Sequence, residues 1–144
     1  MDATLRETNL WRSIKKLFVD GLESTEIVPY FDRIVSNPTK DAPNKWINVM
    51  IENPNPAHVS EATMTVFCFS KEDHEGDELA QIRDEIIRLF YPKFIDLYDT
   101  STDPWTKIGG MLVVVNDQSG TIFTQNNSKM LYIQTTLRWG AVWS

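Results

Sequence analysis

The stretch SKEDHEGDE, from Ser70 to Glu78, sets Glu72, Asp73, Glu75, Asp77 and Glu78 around one histidine, His74. Residues of these types at close spacing can hold a divalent cation or pass protons as a general acid and base. Each chemistry needs a further pattern. A zinc site needs spaced His or Cys ligands. The other histidine is His58 in a Pro-rich segment, the one cysteine is Cys68, and no H-E-x-x-H occurs. An EF-hand calcium loop needs Gly at its sixth position and Glu at its twelfth. Counted from Asp73, those positions hold Glu78 and Asp84. A helix start accounts for the stretch better. Gly76 gives the turn, Asp77 caps a following helix, and Asp77 and Glu78 lie at the positive end of its dipole, worth about 0.3–1 kcal/mol each. The acids Glu72, Asp73 and Glu75 are read as a solvated loop with a second use as a charged contact surface.

Other candidate chemistry is sparse. Cys68 stands between Phe67 and Phe69 in a strand-like run, where a cysteine is a small inert hydrophobe. Gly109-Gly110 lacks the strand–loop–helix spacing of a phosphate loop and is read as the start of a strand. Neither G-x-S-x-G nor S-x-x-K is present. No catalytic, metal-binding or cofactor-binding residue is nominated, and an enzyme is not expected.

The elements that position these residues follow from periodicity. Thr4 and Glu7 form a capping-box pattern, Leu10, Trp11, Ile14, Leu17 and Phe18 repeat at helical spacing, and Gly21 stands where a helix ends. A helix is expected over about 4–20. Ile27–Val35 reads as a short strand weakened by Pro29, and 36–44 as an exposed loop. Trp46–Ile51 is a strand, ENPNPAH a loop, and Glu61–Ser70 a strand apolar on both faces, hence central or covered on both sides. Leu79, Ile82, Ile86, Leu89 and Phe90 mark a second helix, closed by Pro92, with Asp84 and Arg88 placed to pair on its wet side. KFIDLYDT is read as a further turn of helix and STDPWTKIGG as loop. Met111–Val115 is a strand, Asn116–Gly120 a turn, GTIFTQ a short strand, and Lys129–Val142 the longest strand, with Leu131, Ile133, Leu137 and Trp139 on one face. Trp11 and Trp139 are expected in the core.

Helices and runs of strands that do not alternate point to an α+β fold: a mainly antiparallel β-sheet with helices packed on one face, one N-terminal and one central. The 144 residues suit a single domain over 1–144. A chain of that size buries roughly 68–70% of its unfolded surface, enough for a core without disulfides. One cysteine fits a reducing compartment, and no signal peptide or membrane-spanning run is seen. The net charge of −6 and the lack of a basic stripe argue against gripping phosphate backbones.

The order of landmarks resembles a known family. An N-terminal helix ends near Leu17-Phe18 and leads to Tyr30-Phe31-Asp32-Arg33. A strand of WINVMI type follows, then one ending Phe67-Cys68-Phe69-Ser70, an acidic turn, and a helix closing with Phe90-Tyr91-Pro92. The chain ends after LYIQTTLRWGAVW. This layout is similar to the tail terminators of long-tailed bacteriophages, the lambda-type minor tail protein and its relatives. The likeness covers most of the chain; Ser36–Asn44 and Lys93–Lys107 depart from it. It implies a virion structural protein at the head-proximal end of the tail, made in the host cytoplasm. Such proteins form a homo-oligomeric ring, a hexamer, on the last ring of the tail tube protein. The ring stops tube polymerisation and offers a surface to the head-completion or neck protein, and no membrane is involved. DNA passes through the channel without specific binding, which an acidic lining would favour.

A closed ring needs two different patches per subunit. The candidates are the loops 36–45, with Pro38, Lys40 and Asp41, and 116–129, with Phe123 and Gln125, because loops on a rigid sheet commonly carry contacts. Trp105, in a loop, and Trp143, near the end, are candidate aromatic anchors. Glu72, Asp73, Glu75, Asp77 and Glu78 are the acidic cap and candidate ring surface. Two rival readings stand beside this one: a neck or head–tail connector protein, and a small enzyme or ligand-binding domain whose pocket would be lined by His58 or His74.

Overall fold

A computed structural model describes residues 6–31, 44–55, 59–71, 77–120, 122–123 and 129–140. Two helices and seven strands occur in the order α1 (Arg6–Gly21), β1 (Val28–Phe31), β2 (Lys45–Asn55), β3 (Val59–Ser70), α2 (Asp77–Phe90), β4 (Phe94–Asp99), β5 (Thr106–Gln118), β6 (Ile122–Phe123) and β7 (Lys129–Gly140). The strands form one sheet in the order β1-β2-β3-β7-β5-β4, with β6 pairing β7. Only β1 and β2 pair in parallel; the other pairs are antiparallel. This is the expected α+β fold with a mainly antiparallel sheet.

Register puts the apolar residues on one face. Ile47 lies opposite Cys68, Val49 opposite Val66, Cys68 opposite Leu131, Val66 opposite Ile133, and Val113 opposite Leu137. Both helices pack on that face. Leu10, Ile14 and Phe18 of α1 and Leu79, Ile82, Ile86 and Phe90 of α2 are buried in the same cluster. Each contributes roughly 1.5–3 kcal/mol through removal from water. Thr135 interrupts the apolar row of β7, yet its hydroxyl donates to the Met64 carbonyl at 3.0 Å, so its burial leaves no polar atom orphaned. On the opposite face, Trp46 and Phe69 are register partners whose rings stack at 5.2 Å, and Phe67 meets Tyr132 edge-on at 6.4 Å. β3 is therefore central, as its two apolar faces require.

Several expectations need correction. KFIDLYDT is not a helical turn: Phe94–Asp99 is edge strand β4, with Ile95 and Leu97 buried between exposed Phe94 and Asp96, the period of a strand. β2 runs on to Asn55 with a register shift after Glu52. β5 takes in both the presumed loop residues from Thr106 and the presumed turn residues to Gln118, and with thirteen residues it is longer than the twelve of β7. Pairing with β4 recruits the end at Thr106 and pairing with β7 the end at Gln118, despite their turn chemistry. Arg88 pairs with Glu85 at 2.8 Å instead of Asp84. Trp11 is half-buried, whereas Trp139 is core as expected. Pro29 sits on edge strand β1, where a missing N–H is tolerated.

Candidate functional site

The strand-to-helix junction orders the end of the acidic stretch. Asp77 and Glu78 occupy the first turn of α2, where its unsatisfied N–H groups favour acids. Ser70, the buried last residue of β3, donates its hydroxyl to Glu78 Oε2 at 2.6 Å and ties strand end to helix start. Glu72, Asp73 and Glu75, with His74, lie outside the described residues, as do Pro38, Lys40, Asp41, His58, Gln125 and Trp143. Among the described residues, no three His, Cys, Asp or Glu side chains gather as a metal site. Cys68 is fully buried, and burial pushes its thiol up to about 12, so it remains protonated and unreactive near neutrality.

Among the described residues, two open grooves lie near edge strand β4. On one side, α1 and β4 enclose an open groove of about 480 Å³ lined by Lys16, Leu17, Phe94, Asp96 and Tyr98 among others. The edge itself is closed by α1: Ser13 Oγ accepts from the Tyr98 N–H at 3.0 Å, and Asn9 Oδ1 accepts from the Thr100 N–H at 3.0 Å. Ion pairs rim the groove, Lys16 with Asp20 at 2.6 Å and Lys107 with Asp96 at 2.9 Å. Each carboxylate holds its lysine above the ordinary ammonium range, first through the hydrogen bond. Phe94 is 62% exposed, and Trp105 is 40% exposed with its ring 6.2 Å from that of Tyr98. Trp105, nominated from sequence, thus joins an aromatic flank.

On the other side of the α2–β4 turn, α2 and β5 enclose a second open groove, of about 760 Å³, walled by Ile87, Phe90, Tyr91, Val113, Val114 and Val115. Tyr91, Val114 and Val115 are exposed. Sequence reading missed this groove. The run MLVVV and the helix end Phe90-Tyr91-Pro92 were its signals, but only the register shows that these two segments meet. Phe123, also nominated, lies in β6 opposite Lys129. The structure brings Trp105 and Phe123 to different parts of the sheet and does not unite the nominated residues in one site.

No helix of the described residues is long and apolar enough to cross a membrane. The chain matches no protein-family model and no curated protein.

Proposed function

We propose that this protein is a tail terminator of a long-tailed bacteriophage: a ring of identical subunits, six in number, that caps the tail tube, stops its polymerisation and offers a face to the head-completion protein. The observation that carries this reading is the aromatic flank of α1 and β4, where Phe94 and Trp105 stand exposed beside an open groove. Exposed aromatics rimmed by ion pairs have the composition of a contact surface. The flank supplies one of the two different patches that a closing, head-to-tail ring requires. The order of landmarks adds support: Phe67-Cys68-Phe69-Ser70 ends central strand β3, the acidic stretch follows in the sequence, and Phe90-Tyr91-Pro92 stands at the end of α2. The acids of the first turn of α2 serve the helix first and are available to a ring surface second.

The test is an electron micrograph of lysate from a phage lacking this gene product. Overlong tails of variable length beside unjoined heads are expected. Tails of normal length that fail to join heads would identify a neck protein instead. Normal, joined particles would overturn both readings.

A further inference from the structure

β5 is thirteen residues long, and its edge neighbour β4 is six. Their pairing stops at Phe94 and Leu112 because α2 runs to Phe90 and the chain needs Tyr91, Pro92 and Lys93 to reverse, the last at φ 65°. One further ladder bond forms, from the Val113 N–H to the Lys93 carbonyl at 2.8 Å. From Val114 to Gln118, β5 keeps β7 on one side and, among the described residues, has no strand on the other. Because the Val113 N–H points to the open side, strand alternation aims the N–H and C=O of Val115 there as well. On the β4 side, Ser13 and Asn9 accept the Tyr98 and Thr100 N–H groups; the open stretch of β5 begins with two exposed valines, and its one charge, Asp117, stands two residues further on and accepts from the Tyr132 hydroxyl.

The side chains show the same vacancy for a strand. Val115 pairs with buried Thr135 and so belongs by register to the core face, yet it is 36% exposed. α2 stands beside it, and Ile87 and Phe90 form the far wall of the groove. A helix laid in the groove would leave the backbone of Val115 unpaired. An extended chain answers both the free edge and the apolar wall. Among the described residues, Lys93 is the one charged residue lining the groove, in a chain whose net charge is −6. That sign selects a carboxylate on the incoming segment.

We propose that the groove between α2 and the free edge of β5 receives an extended segment of a partner protein as an added strand, with an apolar side chain seated among Ile87, Phe90 and Val115 and a flanking carboxylate at Lys93. The proposal stands on this groove and not on the ring reading, so either can fail alone.

The experiment is selection of a random library of displayed peptides, about seven residues long, on the full chain and on Val115→Glu. Enriched sequences should alternate apolar residues and carry an acid at one end. Their affinity should fall roughly tenfold or more on Val115→Glu, as for loss of a central anchor. Lys93→Glu, a change of an exposed side chain, should weaken the same peptides, and exchanging their acid for lysine should restore binding to that variant. No enrichment on the natural chain over Val115→Glu, or selected peptides that bind both variants undiminished, would overturn the proposal. Self-association of the natural chain that Val115→Glu abolishes would also overturn it, by showing a second copy as the occupant.

Discussion

Asn9 of α1 and Thr100 at the end of β4 are joined twice: Asn9 Oδ1 accepts the Thr100 N–H at 3.0 Å and the Thr100 hydroxyl at 2.7 Å. Both residues are buried, and the same hydroxyl accepts from Arg12 at 3.0 Å. The N-terminal helix is thereby fixed to an edge strand ninety-one positions away. Asn9→Ala leaves a buried N–H without this acceptor, which costs about 2–3 kcal/mol. Urea unfolding should show that loss, with a melting midpoint about 6–10 °C lower. Amide exchange at Thr100 should quicken more than exchange at Met64 in the central strand. Equal stability of variant and natural chain would remove this pair from the fold's essential contacts.

Gly21 of α1 packs against Leu89 of α2. A Cβ placed there would clash with Leu89 Cδ2, and the Gly21 carbonyl accepts from Arg88 at 3.3 Å. Gly21→Ala should therefore destabilise by about 1 kcal/mol through overpacking. In a Leu89→Ala background the clash is gone, and the better helix propensity of alanine should turn the same change into a gain of about 0.5–1 kcal/mol. The reversal of sign in a double-mutant cycle is the measurement.

The helices and the central strands were legible because their apolar residues keep one period for several turns or pairs. Leu79, Ile82 and Ile86 can face a core only as a helix, and Leu131, Ile133 and Leu137 only as a strand. β4 was not legible: FIDLYD holds two buried residues, follows a proline, and is too short for alternation to outweigh its place after a helix. The length of β5 was hidden for a different reason. Gly109, Gly110, Asn116 and Asp117 favour turns locally, and pairing with β4 and β7 overrides that preference. Of the residues named from sequence, Asp77 and Glu78 fall in the first turn of α2, with Asp77 its first helical residue and not the cap before it, and Trp105 stands exposed ahead of β5. The groove at Val115 could not be read, since it arises from β4 ending before β5, a property of two strands together.

Cys68 gives the fold an alkaline weakness. Burial raises its thiol from 9.0 in the unfolded chain to about 12, so the folded state holds the proton more tightly. Stability from this group is intact below about pH 9 and is lost as pH rises toward 12, by on the order of 4 kcal/mol in full. Tyr132, raised by its hydrogen bond to Asp117, and the paired Lys16 and Lys107 shift in the same direction. Cys68→Ala isolates the thiol: its stability should fall less steeply between pH 9 and 11 than that of the natural chain. Iodoacetamide should label Cys68 only at the rate of unfolding. Rapid labelling of the native protein at pH 8 would contradict its burial.

Phe94 and Trp105 allow the proposed ring contact to be tested apart from the fold. Phe94 is 62% exposed and Trp105 40% exposed, and neither belongs to the buried cluster. Replacing Phe94 with serine should change unfolding free energy by no more than about 0.5 kcal/mol, the usual scale for exposed positions. Trp105→Ser also loses the ring contact with Tyr98, roughly 0.5–1.5 kcal/mol, and the burial of the covered part of its indole. If the flank of α1 and β4 is a ring contact, the double variant should remain folded by circular dichroism and yet fail to restore tail length when supplied to a phage lacking the protein. Leu10→Ala, in the core, should lose stability by about 2–5 kcal/mol while the subunits that remain folded still assemble. A folded double variant that restores normal tails would show that the exposed aromatics are not the contact, and the search for the ring interface would pass to another face of the sheet.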